Sequence, residues 1–357
     1  MNRGGGTESR GSRSSRLSLP ATAETTKRDR PSIGFFKPEA YRQPPYMFKV
    51  PKKLRKDFFP IGVGGVFHGD ALEVLKELPD DIVQCCVTSP PYWSMKDYGV
   101  SGQIGLEKTP DGYIEKLTEM FHEVWRVIRD DRTLWFNLGD TYYRGGRNSG
   151  LKPPVPSGKE LVGIPWRVAF ALRQSGWHLR SDIIWHKPDA MPEGVNDRPT
   201  RAHEYIFLLT KSRSYYYDAD AIREPHNPQS LKRMKYKYQG YQKTKSLSSS
   251  PSYRNANHMC HPLGRNKRSV WTIAKRGFRG NHSATFPYEI PETCIKAESK
   301  TGDIVLDPFA GSGTTLETAA KLGRVPLGIE LNRGYISKLI IPSMRKGAEK
   351  IIGSFFD

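Results

Sequence analysis

The segment Asp307-Pro-Phe-Ala-Gly-Ser-Gly-Thr-Thr315 narrows the choice of fold more than any other stretch of this chain. The apolar run Ile304 to Asp307 reads as a strand, Thr315 to Leu322 as a helix and Val325 to Glu330 as the next strand. Glycines in the turn between the first strand and the helix let the backbone approach a ligand closely, while helix amides face it. Glu330 ends the second strand, 23 residues after Asp307. In doubly wound nucleotide-binding sheets an acid about 20 residues along hydrogen-bonds ribose hydroxyls, so turn and acid together define a nucleoside site.

Upstream, Ile82 to Val87 is a short apolar run that stops at Thr88-Ser-Pro-Pro-Tyr-Trp93, whose two prolines forbid continuation as a helix or central strand. Tyr113 to Ile128 carries apolar residues at helical spacing, and Thr133 to Leu138 reads as a strand. Leu161 to Leu172 is a second helix, and Ser181 to Trp185 and Glu204 to Thr210 are further strands, with folded sequence beginning near Phe67. Strands alternating with helices predict an α/β fold, a doubly wound and mostly parallel sheet covered on both faces.

The glycine turn also limits the cofactor. A dinucleotide fingerprint wants a third glycine three positions after Gly313, where Leu316 stands, and no G-x-x-x-x-G-K-[ST] loop is present. NAD and ATP are therefore disfavoured. A cofactor with an adenosine ribose but no phosphate suits such a turn, and S-adenosyl-L-methionine is that cofactor.

Net charge is +19, and its position says more than its size. Residues 1–56 hold fourteen Lys or Arg against four Asp or Glu, and residues 225–280 hold thirteen against none, so the remainder is about −4. Two basic blocks on a nearly neutral body read as a footprint for phosphates. The second block interleaves Tyr236, Tyr238, Tyr241, Tyr253, Trp271 and Phe278 with its cations, which predicts an ordered contact surface.

The Thr88-Ser-Pro-Pro-Tyr92 loop has the groups that methylation of a base amine requires. The lone pair of such an amine is delocalised into the ring, so the enzyme must hold acceptors against its N–H groups and draw the nitrogen toward sp³ geometry. Ser89 offers a hydroxyl and Pro90 a carbonyl, held by two rings that fix φ and remove competing donors. Tyr92 offers a face on which an extruded base can stack.

These residues resemble the beta class of amino-methylating DNA methyltransferases, in which the catalytic loop precedes the cofactor turn in a circularly permuted order. Further matches are Gly69-Asp-Ala71, Gly163-Ile-Pro165, Trp185-His-Lys-Pro188, Asp197-Arg-Pro-Thr-Arg-Ala-His-Glu204, Ala284-Thr-Phe-Pro287 and Gly328-Ile-Glu330, together spanning roughly residues 66–335. The resemblance implies a Rossmann-like sheet and a catalytic set of Ser89, Pro90, Pro91 and Tyr92. It implies that Asp307, Phe309, Gly311, Ser312, Gly313 and Thr314 surround the methionine moiety, with Glu330 on the ribose, Asp70 at the adenine end and Phe286 covering the cofactor. Ser rather than Asp at the head of the Pro-Pro motif is typical of enzymes acting on cytosine N4, with adenine N6 as the alternative. The implied domains are a flexible basic tail (1–45), a catalytic half (46–224), a target-recognition insertion (225–268) and a cofactor-binding half (269–357).

The expected partner is double-stranded DNA, with a cognate endonuclease acting on the same site and a monomeric or homodimeric, cytoplasmic enzyme. C5-cytosine methylation is excluded because the chain has no Pro-Cys pair to present a thiolate. An RNA methyltransferase and a non-catalytic nucleic-acid-binding module are the other readings. The second would be expected to lose Ser89 or the glycine turn, and both are intact. Four cysteines form no disulfide framework, and the triplet His258, Cys260 and His261 lacks a partner cluster, so no metal is expected. His203 and Glu204 lack a second His at the zincin spacing and read as strand residues with a structural role.

Overall fold

In the computed structural model, residues 49–61, 64–143, 159–235, 261–275 and 287–344 are described. The basic tail, Phe286, His258, Cys260 and most of the insertion, including Tyr236, Tyr238, Tyr241 and Tyr253, lie outside them, as does Phe278.

The first half runs β1 (Phe58–Ile61), β2 (Gly64–His68), α1 (Ala71–Glu77), β3 (Val83–Thr88), α2 (Pro110–Val127), β4 (Ile128–Leu138), α3 (Ile164–Gln174), β5 (His178–His186) and β6 (His203–Thr210). After α4 (Pro228–Lys235) and β7 (Val270–Thr272) come α5 (Glu289–Glu298), β8 (Ile304–Asp307), α6 (Thr314–Lys321) and β9 (Val325–Glu330). A helical segment over 333–344 follows. The strands make one nine-stranded sheet in the order β1-β2-β9-β8-β3-β4-β6-β5-β7. The pairings from β2 to β4 are parallel, whereas β1 and β6 run antiparallel to their neighbours.

Alternation along the strands explains why helices cover both faces. On β4, Leu134, Phe136 and Leu138 join the core under α2 and α3, while Trp135 points to the opposite face with Cys85 and Val87 and meets Cys294 and Ile295 of α5. The α2 helix has the predicted stripe of Tyr113, Leu117, Met120, Phe121 and Val124, and begins where Thr109 Oγ1 accepts the Gly112 amide at 3.1 Å. Two expectations change. Folded chain begins before Phe67, because β1 pairs with β2 from Phe58 and its Pro60 is tolerated on an edge strand. Trp271 belongs to no contact surface: it is buried on β7, stacked on Trp135 at 6.2 Å between ring centroids.

Strand order reverses between β8 and β3. The chain leaves β8 through α6 toward β9 on one side, and leaves β3 through α2 toward β4 on the other. A crevice opens outside the carboxyl ends of strands at such a switch point. Thr88 and Asp307, the last residues of β3 and β8, stand there.

Candidate active site

The two switch-point strands are tied together at their ends. Thr88 donates its hydroxyl to Asp307 Oδ1 at 2.7 Å, and the Phe309 amide donates to the same oxygen at 3.1 Å. Asp307 is buried, and desolvation pushes its carboxyl up to about 6 against these donors. Beyond it, Gly311 and Gly313 take φ of +54° and +86°, in the left-handed region that glycine enters without strain. A side chain at Gly313 would also stand 3.3 Å from Ile340.

Glu330 closes the turn from β9. Its Oε2 accepts the Gly311 amide and its Oε1 the Asn332 amide, each at 2.7 Å. Burial pushes its carboxyl up to about 7. Just past the neighbouring strand β2, Asp70 caps α1, with Oδ1 accepting from the amides of Leu72 and Glu73 at 2.9 and 3.2 Å.

These elements border a cleft of about 890 Å³ including its open mouth. Of the residues singled out by sequence, Asp70, Ser89, Pro91, Phe309, Gly311, Ser312, Thr314 and Glu330 line it. Pro90, Tyr92, Asp307 and Gly313 do not, and the last two act behind the wall by shaping the turn. Tyr98 and Gln103, on the loop after Trp93, and Asn332 and Tyr335, after β9, complete the lining. Gln103 organises its own loop: Oε1 accepts the Tyr98 amide at 2.7 Å and Nε2 donates to the Lys96 carbonyl at 3.0 Å. Among the described residues no Lys or Arg lines the cleft, whereas two carboxylates do. A phosphate would find no cation there, and a positively charged ligand finds complementary charge.

At the cleft's edge the Ser89 loop meets a polar network. Ser89 donates to Asn137 Oδ1 at 3.3 Å, and the Tyr92 hydroxyl lies 2.8 Å from the same oxygen and 2.6 Å from Glu204 Oε2. Asn137 Nδ2 donates to the Tyr205 carbonyl at 3.0 Å, which fixes the amide's orientation. Lys187 donates to Glu204 Oε1. The Pro91 carbonyl is occupied by the Tyr113 hydroxyl at 2.7 Å. Gly139 supports the Tyr92 ring so closely that a Cβ would stand 2.6 Å from it. Glu204, a strand residue as expected, accepts a hydrogen bond from Tyr92 of the Ser89 loop. A legible signal existed for Asn137, a polar residue closing the apolar run Leu134-Trp-Phe136, whereas Gln103 carried no local signal.

The sequence matches the N6/N4 DNA methylase family over residues 83–341. It is 42% identical over 302 residues to the Type II methyltransferase M.Cfr9I of Citrobacter freundii, covering 80% of this chain and 90% of that protein. It is 43% identical over 287 residues to the Type II methyltransferase M.SmaI of Serratia marcescens, covering 76% and 88%. The fold is similar to that of a DNA modification methylase from Thermus thermophilus, solved in complex with S-adenosyl-L-methionine, with a TM-score of 0.52, 25% identity and coverage of 79% and 93%. It is also similar in fold to the cytosine-N4-specific PvuII DNA methyltransferase, with a TM-score of 0.53, 19% identity and coverage of 81% and 93%.

Proposed function

This chain belongs to the N6/N4 DNA methylase family, and from that premise we propose that it methylates N4 of a cytosine turned out of double-stranded DNA at a specific site, as a Type II modification enzyme. The observation that carries the reading is the meeting of cleft and loop: Ser89 and Pro91 belong to the wall of the same cleft as Asp70, Glu330 and the glycine turn. A group held by the loop is thereby brought up to a group held by the turn.

The methyl donor is S-adenosyl-L-methionine, which, when bound, supplies an electrophilic methyl on a cationic sulfonium. The residues fit it. Among the described residues the cleft offers carboxylates and no basic side chain, and Glu330, which ends β9, and Asp70, which follows the adjacent β2, stand where an adenosine would lie. Phe309, Gly311, Ser312 and Thr314 line the same cleft as Ser89. The assigned Phe286 cover lies outside the described residues.

On the base side, Ser89 gives its proton to Asn137, so its oxygen lone pairs are available to an amine N–H. The Pro90 carbonyl is the second acceptor, since that of Pro91 is taken by Tyr113. As the nitrogen gains positive charge, both acceptors bind its hydrogens more strongly, which lowers the barrier. Tyr92, backed by Gly139, supplies the stacking face. The preference for cytosine rests on Ser89 standing where enzymes acting on adenine more usually carry Asp. The basic segment 225–268 is assigned to phosphate and base-edge contacts, and a cognate endonuclease is the expected partner.

Recombinant protein supplied with labelled S-adenosyl-L-methionine and plasmid DNA should yield N4-methylcytosine on nucleoside mass spectrometry. N6-methyladenine in its place would overturn the choice of base, and absence of transfer to DNA would overturn the reading as a whole.

A further inference from the structure

The network behind Ser89 has three hydroxyl contacts but two hydroxyl protons to fill them, and placing those protons assigns a task to two residues outside the Ser89 loop. Asn137 Oδ1 faces two hydroxyls, those of Ser89 and Tyr92. Tyr92 has one proton and two acceptors, Asn137 Oδ1 at 2.8 Å and Glu204 Oε2 at 2.6 Å. A carboxylate is the stronger acceptor, and here it is also the nearer. Lys187 donates to the other oxygen of Glu204, and both side chains are largely buried, at 8% and 16% exposure. An ionised Glu204 therefore has its counter-charge in place. Burial and the Glu204 charge push the Tyr92 hydroxyl well above its ordinary value, so its proton stays on the phenol oxygen, which remains a donor.

We propose that the Lys187–Glu204 pair draws the Tyr92 proton away from Asn137, leaving Asn137 Oδ1 to receive the Ser89 proton and so fixing the Ser89 oxygen as an acceptor toward the target amine. The pair acts through Tyr92 and Asn137 and touches neither substrate, so both are positioning residues. With the polarity reversed, Tyr92 would give its proton to Asn137. There it competes with the Ser89 proton for the same oxygen, which weakens the hold on that proton and frees the Ser89 hydroxyl to turn it toward the amine, where donor meets donor. The inference rests on the role given to Ser89 under the proposed function.

Glu204→Gln is a near-isosteric test with a defined direction. Lys187 continues to donate to the amide oxygen, which turns the amide nitrogen toward Tyr92 as a donor. The Tyr92 proton is thereby sent to Asn137. The expected result is a fall in kcat on the order of 10- to 100-fold, with cofactor Kd, measured by calorimetry, changed less than about twofold. In a Tyr92→Phe background no phenolic proton remains to be misdirected, so adding E204Q to Y92F should cost little more than Y92F alone. An equal loss in both backgrounds would make Glu204 merely structural and overturn the proposal, as would full activity of E204Q. Should E204Q fail to fold, Asn137→Ala removes the atom that receives the Ser89 proton and should lower kcat to a similar extent with cofactor Kd preserved; full activity there also overturns it. If S89A itself proves fully active on DNA, the underlying reading has failed, independently of Glu204.

Discussion

Glu330 accepts one amide from the glycine turn and one from the loop after β9, and in the proposed complex it also accepts ribose hydroxyls. Its carboxyl titrates at about 7 against an ordinary value of 4.5. The raised value means that the native chain holds this proton more tightly than the unfolded one. Its contribution to stability is therefore full below about 4.5 and is lost as pH rises through about 7. The shift corresponds to roughly 3 kcal/mol. Ribose hydroxyls donate to the ionised form, so binding should recover part of that loss. Cofactor affinity should accordingly strengthen between pH 6 and 8, and calorimetry should find E330Q both weaker and flat across that range. Ser89 predicts the complementary pattern. S89A should reduce kcat by about 10²-fold while leaving cofactor Kd unchanged, because its contacts strengthen as charge develops on the amine. Weakened cofactor binding with undiminished turnover would assign Ser89 to the wrong half of the site.

At the switch point the Thr88 hydroxyl on Asp307 ties the end of β3 to the end of β8, beyond the last backbone pair of these strands. Thr88→Val keeps the shape and deletes the donor, leaving a buried carboxylate short of one partner. That should cost about 1–3 kcal/mol. Asp307 titrates at about 6, so its carboxylate needs the hydroxyl most when ionised. The loss of melting temperature in T88V should be larger at pH 8 than at pH 5, and an equal loss at both would argue that packing alone is responsible. Elements of this kind were legible where periodicity was strong: α2 and the β8-α6-β9 unit stand within one to three residues of their expected limits. β4 begins five residues earlier than Thr133, because Arg129-Asp-Asp-Arg132 disguises the start of a strand. The network behind Ser89 was hidden for a different reason. Asn137 and Glu204 lie 45 and 112 residues from Tyr92, and only the antiparallel pairing of β4 with β6, which sets Leu138 opposite Tyr205, brings them to it. Spacing along a chain has no means of showing which strand ends converge.

Across the whole molecule, charge is divided between two tasks. Among the described residues the cleft is lined by two acids and no basic side chain, while the excess of +19 is concentrated in residues 1–56 and 225–280. No helix among the described residues is long and apolar enough to cross a membrane. The two ligands should therefore respond oppositely to salt. A duplex releases condensed counterions when cations neutralise its phosphates, and log K falls with log[salt] by about 0.9 per contact. A cofactor held by carboxylates and backbone amides releases none. DNA affinity should drop steeply between low and physiological salt, while cofactor affinity should barely move. Replacing Lys237, Lys243, Lys245 and Arg254 by Gln should reduce the DNA slope by about 0.9 for each residue that meets a phosphate. Cofactor binding, and turnover at saturating DNA, should stay near wild type. An unchanged slope would remove the second basic block from the DNA footprint and transfer that role to the first. A changed slope with altered sequence preference would show that at least one of the four reads a base edge as well as a phosphate.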